Sequence, residues 1–203
     1  MRPMTEQRLC PRLLRRTALM LAVVLSALVP PALATDLPTI LATSRVAPPA
    51  RVAFLEERYN PLFERPLLLE GYLEYLGPGA LRKVIQAPFD EAFSIADGAI
   101  TMERDGESRR LPVRRSKSLE TMLGAFEGVL SGDADMLASV FDYEVRGETS
   151  DWTIDLTPRS RRIAKQLSSL ELRGNDAGVS QISIDLRDGE RHIMYIRNEE
   201  PLK

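Results

Sequence analysis

Apolar and polar residues alternate with a period of two along most of the chain beyond residue 50. Leu67, Leu69, Leu73 and Tyr75 fall on one phase, with Glu70 and Glu74 on the other. Trp152, Ile154 and Leu156 alternate with Thr153, Asp155 and Thr157, and Ile182, Ile184 and Leu186 alternate with Gln181, Ser183 and Asp185. Successive side chains of a strand point to opposite faces, so these stretches read as strands with one face on a core. Turn residues separate them: Asn60-Pro61, Gly77-Pro78-Gly79, Ala87-Pro88, Asp97-Gly98, Asp105-Gly106, Gly147, Asn175-Asp176 and Asp188-Gly189. Asp-Gly suits a two-residue hairpin because both central positions need positive φ. About eleven strands are predicted, near 51–60, 66–77, 80–87, 91–96, 99–104, 109–115, 141–147, 151–157, 165–173, 179–187 and 190–197. Short connections make neighbouring strands antiparallel.

One segment departs from this rhythm. Over 118–131, Leu119, Met122, Leu123, Phe126, Val129 and Leu130 recur at three- and four-residue steps, the apolar stripe of an amphipathic helix. Ser118 suits its N-cap and Gly132 its end. Asp133 opens a second short helix with Met136, Leu137 and Val140 on one side, and a weaker helix covers about Leu37 to Val46, before Pro48-Pro49. The expected architecture is mainly β with a helical lid at about 118–141 (α+β): a curved antiparallel sheet of about eleven strands, forming an incomplete barrel, with short helices over its concave face. Such a sheet is large enough to leave a cavity. The expected lining is Leu73, Tyr75, Phe93, Ile95, Met102, Met122, Leu123, Phe126, Leu130, Met136, Leu137, Trp152 and Ile154. Methionines suit an adaptable apolar surface. The same spacing also fits plain core, since any helix packed on a sheet shows it.

The start of the chain has a different pattern. Arg2, Arg8, Arg12, Arg15 and Arg16 stand against one acid, Glu6. An apolar run from Thr17 to Val29 follows, then Pro30-Pro31 and the small-x-small sequence Ala32-Leu33-Ala34. Charged start, short apolar centre and small-residue exit are the marks of a secretory signal peptide over 1–34, cleaved after Ala34. The apolar run is shorter than the ~20 residues of a spanning helix. The expected working protein is a single domain over 35–203, exported to the periplasm and soluble there. Removing 1–34 takes away five Arg and one Glu and moves the formal charge from −2 to −6, which argues against a nucleic-acid partner. It also removes Cys10, the one cysteine, and with it thiol catalysis and cysteine metal sites.

Little else suggests catalysis. His192 is the one histidine, and a lone strand histidine is a weak candidate base without a nucleophile-elbow pattern. Asp133-x-Asp135 mimics a metal-binding pair, but its place before Met136-Leu137 suits helix capping better. Arg109-Arg110, Arg114-Arg115 and Lys117 form the densest charge run, readable as a solvated strand face or as a docking patch for an acidic partner or a lipid phosphate. No cofactor is expected.

The order of elements resembles the LolA-like family of periplasmic lipoprotein carriers. Ala53-Phe54-Leu55-Glu56-Glu57 is similar to the family's first strand, and Glu70-Gly71-Tyr72-Leu73 to its next strand start. Asp90 to Gly98 resembles its strand–turn segment, Trp152 to Pro158 its F-x-L-x-P strand, and Ile163 to Leu172 with Gly178 to Leu186 its closing hairpin. The resemblance spans roughly 37–197. It implies a carrier of lipoprotein acyl chains or another lipid, working between an inner-membrane transporter and an outer-membrane acceptor, as a monomer. Where the family has an arginine before proline that helps hold the lid, this chain has Gly77. A non-catalytic sensor or scaffold on the same fold is the alternative.

Overall fold

The computed structural model describes residues 36–112 and 126–197. The alternating stretches form eleven strands: β1 (Ala50–Tyr59), β2 (Leu67–Gly77), β3 (Ala80–Ala87), β4 (Glu91–Ala96), β5 (Ala99–Arg104), β6 (Glu107–Pro112), β7 (Phe141–Glu148), β8 (Asp151–Pro158), β9 (Leu167–Asn175), β10 (Gly178–Leu186) and β11 (Arg191–Arg197). β6 starts earlier than the sequence suggests. The Asp105-Gly106 turn, with both residues at positive φ, is tight enough to pair Arg104 directly with Glu107. Segment 1–34 lies outside the described residues, as do Ser118, Leu119, Met122 and Leu123.

Across the sheet the order is β6-β5-β4-β3-β2-β1-β11-β10-β9-β8-β7, all antiparallel. Two meanders, β1–β6 and β7–β11, are therefore joined where the first strand meets the last, from Ala53 opposite Arg197 to Tyr59 opposite Arg191. β6 and β7 follow one another in the chain yet occupy opposite edges, so the sheet is open.

Three helical pieces lie on one face, called here the inner face: α1 (Leu37–Thr43), α2 (126–131) and α3 (Ala134–Val140). Asp36 caps α1 by accepting from the Thr39 N–H at 3.0 Å, and Asp133 caps α3 by accepting from the Met136 N–H at 2.9 Å. Gly132, at φ +72°, ends α2 where the chain crosses α1; a Cβ there would stand 2.9 Å from the Leu41 carbonyl oxygen. The Val46 N–H, just past α1, donates to the Leu130 carbonyl at 2.9 Å.

Burial divides the inner face in two. Leu37, Ile40 and Leu41 of α1, Val129 of α2, and Leu137 and Val140 of α3 form one core with Phe141, Trp152, Ile154, Leu156, Leu170 and Leu172 of β7–β9. A second, smaller cluster holds Phe54, Leu69 and Ile85, with Leu73, Phe89, Phe93, Met194 and Ile196 against it. Among the described residues no helix contributes to this second cluster. The described helices thus cover strands β7–β10, and none of them contributes to the β1–β6 cluster.

The short helix after Asp133 does not turn all of its apolar residues inward. Leu137 is sealed, whereas Met136 is 38% exposed, because a seven-residue helix held by Leu137 and Val140 points the intervening phase outward. Leu137→Ala should therefore cost about 2–5 kcal/mol in urea unfolding, the range for an emptied core site, while Met136→Ala should stay within about 0.5–1 kcal/mol. Comparable losses for both would place Met136 in the core.

Candidate functional site

Strand register brings five of the expected lining residues together. Leu73, Lys83, Phe93, Met102 and Arg109 lie directly opposite one another across β2–β6 and so share the inner face. The next row along the same face is Tyr75, Leu81, Ile95, Ile100 and Leu111. Tyr75 is buried; Leu73, Phe93 and Ile95 are half-buried; Met102 and Leu111 are 38% and 60% exposed. Apart from Lys83 and Arg109, the two rows form an apolar surface that opens towards the β6 edge. Strands sit about 4.8 Å apart, so β3 to β6 span about 14 Å.

Trp152, Ile154 and Leu137 lie elsewhere, sealed in the core under the helices. Gly174, directly opposite Trp152, makes room for its indole: a Cβ there would come within 2.2 Å of the ring. Phe126 and Leu130 are half-buried on α2, and Met136 faces outward. The expected single lining is therefore two sets of residues, one packed solid and one partly open.

Sequence reading missed what lies between them. Glu56 of β1 faces inward and is 2% exposed. Its carboxylate accepts from Arg58 Nε at 2.9 Å and from the Lys83 ammonium, and His192 Nδ1 lies 3.5 Å away. Burial alone would push the Glu56 carboxyl up; Lys83 and Arg58 outweigh that and hold it below the usual carboxylate range. Burial lowers the Lys83 ammonium, and the Glu56 charge opposes that shift. Lys83 Nζ also stands 4.9 Å from the centre of the Phe54 ring. His192 is lowered from 6.5, first by burial and then by the Arg58 charge, so the imidazole is neutral at pH 7. Its Nε2 is 3.6 Å from a Glu190 oxygen and has no hydrogen-bond partner among the described residues. Both ring nitrogens face carboxylates rather than a hydroxyl, which is not the arrangement of a base activating a nucleophile. Glu56 and Glu57 are indistinguishable by composition; only strand phase decides which is buried.

Three further features complete the site. The Gly79 N–H, in the β2–β3 turn beside Gly77, donates to the carboxylate of Glu127 on α2, so a helix side chain reaches this hairpin. The basic run does not form one face: Arg109 pairs with Met102 on the inner face while Arg110 is on the other, and Arg114, Arg115 and Lys117 lie outside the described residues. A cleft of about 520 Å³ between α1 and the α2–α3 turn is lined by Pro38, Ala42 and Ala134 together with the charged Arg45, Asp133 and Asp135. Asp133 is committed to capping α3.

Residues 29–194 match the family described as outer membrane lipoprotein carrier protein LolA-like. The chain belongs to this family. No curated protein matches the sequence. Among solved structures, this LolA-like chain is similar to the LolA superfamily protein NE2245 from Nitrosomonas europaea, with 11% identity, 84% of this chain and 96% of that one covered, and a TM-score of 0.43. It is also similar to the lipoprotein LppX from Mycobacterium tuberculosis, with 13% identity, 83% and 99% coverage and a TM-score of 0.42. A third likeness is to the Pseudomonas aeruginosa MucA/MucB complex, with 14% identity, 83% and 59% coverage and a TM-score of 0.40.

The buried cluster sets a pH dependence. His192 and Glu56 both hold folded pKa values below their unfolded ones, so the unfolded chain takes up protons that the folded chain resists. Their stabilising effect is complete above the unfolded values and is lost as pH falls, first below about 6.5 for His192 and then below about 4.3 for Glu56. Thermal unfolding between pH 7.5 and 5.5 should show a falling midpoint in the wild type and a flatter one in His192→Gln. Parallel curves would mean that His192 titrates alike in both states.

Proposed function

We propose that this LolA-like protein is an exported lipid carrier. Its leader is removed after Ala34, and the remaining domain over 35–203 shuttles lipoprotein acyl chains or another lipid through the periplasm. Among the described residues no helix is long and apolar enough to cross a membrane. The observation that carries the reading is the partly open apolar surface of β2–β6, on the same face as the sealed core.

The work of such a protein is a partition problem rather than a reaction. Moving one CH₂ from water to an apolar surface is worth about 0.8 kcal/mol. A sixteen-carbon chain gains up to roughly 10 kcal/mol if fully enclosed, and proportionally less on an open surface. Release needs only a next site that binds slightly better, so a partly open face built from Leu73, Phe93, Ile95 and Met102 serves a carrier better than a closed cavity. An inner-membrane transporter would load it and an outer-membrane acceptor unload it, with the carrier acting as a monomer and without catalysis.

Protein purified from a periplasmic extract should carry lipid detectable by mass spectrometry and should bind a fluorescent fatty acid. Met102→Glu places a charge on the apolar rows at a site exposed enough to spare the fold, and binding should fall at least tenfold, since a carboxylate in an apolar contact costs several kcal/mol. Thr101→Glu, one residue away and on the opposite face, should change binding less than twofold. No bound lipid and no fatty-acid binding would end the carrier reading; equal effects of the two substitutions would move the cargo off this face.

A further inference from the structure

We propose that Lys83, Arg58 and His192 form a seat for an acidic head group, so that the cargo is an amphiphile ending in a carboxylate or phosphate. This rests on the carrier reading and names its substrate class.

The acid and the bases of the cluster differ in exposure. The one acid at the centre, Glu56, has a side chain only 2% exposed, whereas those of the three basic residues around it are 21–28% exposed. The negative charge lies beneath and the positive groups lie above it, so a molecule arriving on the inner face meets the bases and not the acid. Two permanent cations share one carboxylate, which leaves one charge without a partner inside the cluster. Such a surplus is unfavourable in a half-buried apolar setting and is relieved by an anion.

Two further acids, Glu91 and Glu190, border the cluster, and each has a partner of its own. β2 presents Leu67, Leu69, Gly71 and Leu73 to this face, and β10 presents Ile182 and Ile184. On β4, Glu91 lies 3.9 Å from Arg104, which stacks on Phe89 and belongs to the next pair along. Glu190 faces His192 from the β10–β11 turn, where Asn60 donates to its other oxygen at 2.5 Å. His192 Nε2 has no hydrogen-bond partner among the described residues and would accept from a protonated head group or, once charged, donate to an ionised one.

Position fixes the rest of the ligand. Lys83 lies directly opposite Phe93, which lies opposite Met102, so the apolar rows start at the cluster and run to the β6 edge. A head group on Lys83 and Arg58 would lay its chain along Phe93, Ile95 and Met102. Leu73 and Leu69 would flank the junction.

The test compares head groups on one chain. Hexadecanoic acid, monohexadecyl phosphate and hexadecanol are titrated against the full protein at pH 8, following displacement of bound Nile red. The acid and the phosphate should each displace the dye at concentrations at least about tenfold lower than the alcohol, the gain of one charge-assisted hydrogen bond. Whichever of the two is stronger identifies the natural head group. Lys83→Met should bring both within about threefold of the alcohol while leaving the alcohol's own affinity nearly unchanged. Equal potency of all three ligands on the wild type overturns the seat and leaves acyl binding intact. No displacement by any of them overturns seat and carrier reading together. An acid preference that survives Lys83→Met overturns the assignment to this cluster. If Lys83→Met does not fold, Arg58→Gln and the wild-type ratios decide.

Discussion

Two meanders become one sheet only because β1 pairs with β11, and that seam is also where the protein buries its charge. Glu56 stands opposite Met194, and Arg58 opposite His192. A one-residue slip of β11 along the seam would turn His192 and Met194 outward and set Arg191 or Ile193 opposite the Glu56–Arg58 side of β1. Glu56, Arg58 and Lys83 belong to the first meander, and His192 is the member of the cluster that comes from across the seam. The β1–β11 pairing also keeps both meanders from ending in an unpaired edge at the centre of the sheet.

From the seam outward the two halves do different things. On the β7–β10 side, α1, α2 and α3 bring Leu41, Val129 and Leu137 onto Trp152 and Ile154, and the result is a solid core. On the other side the same face carries Phe93, Ile95 and Met102 with no helix of the described residues against them. The first half supplies the stability that lets the second remain partly open. The Glu127 carboxylate on the Gly79 N–H is a polar contact between the helical layer and the open half.

Much of this was legible in the chain. Period-two alternation and Asp-Gly turns located the strands, because a strand's face is a local property. The helix after Asp133 was legible from its cap. Three things were not. Met136 and Leu137 are adjacent apolar residues, and only the packing of α1 on α3 decides which is inside. Trp152 and Ile154 look as suitable for a ligand wall as Phe93 and Met102, since alternation reports burial without saying what covers it. Glu56 looks like any acid of a strand; its burial depends on Lys83, 27 residues on, and on His192 in the last strand. Pairing across such distances leaves no local trace.

On the carrier reading, acyl chains lie on the β2–β6 half of the inner face and not in the helix-covered half. A sixteen-carbon fatty acid with a diazirine at mid-chain, irradiated with the protein and mapped by peptide mass spectrometry, distinguishes the two halves. Adducts are expected at Leu73, Phe93, Ile95 or Met102 and none at Trp152, Ile154 or Leu137. Adducts concentrated at Trp152 and Ile154 would overturn the reading, because the lipid would then occupy the half that is here a solid core.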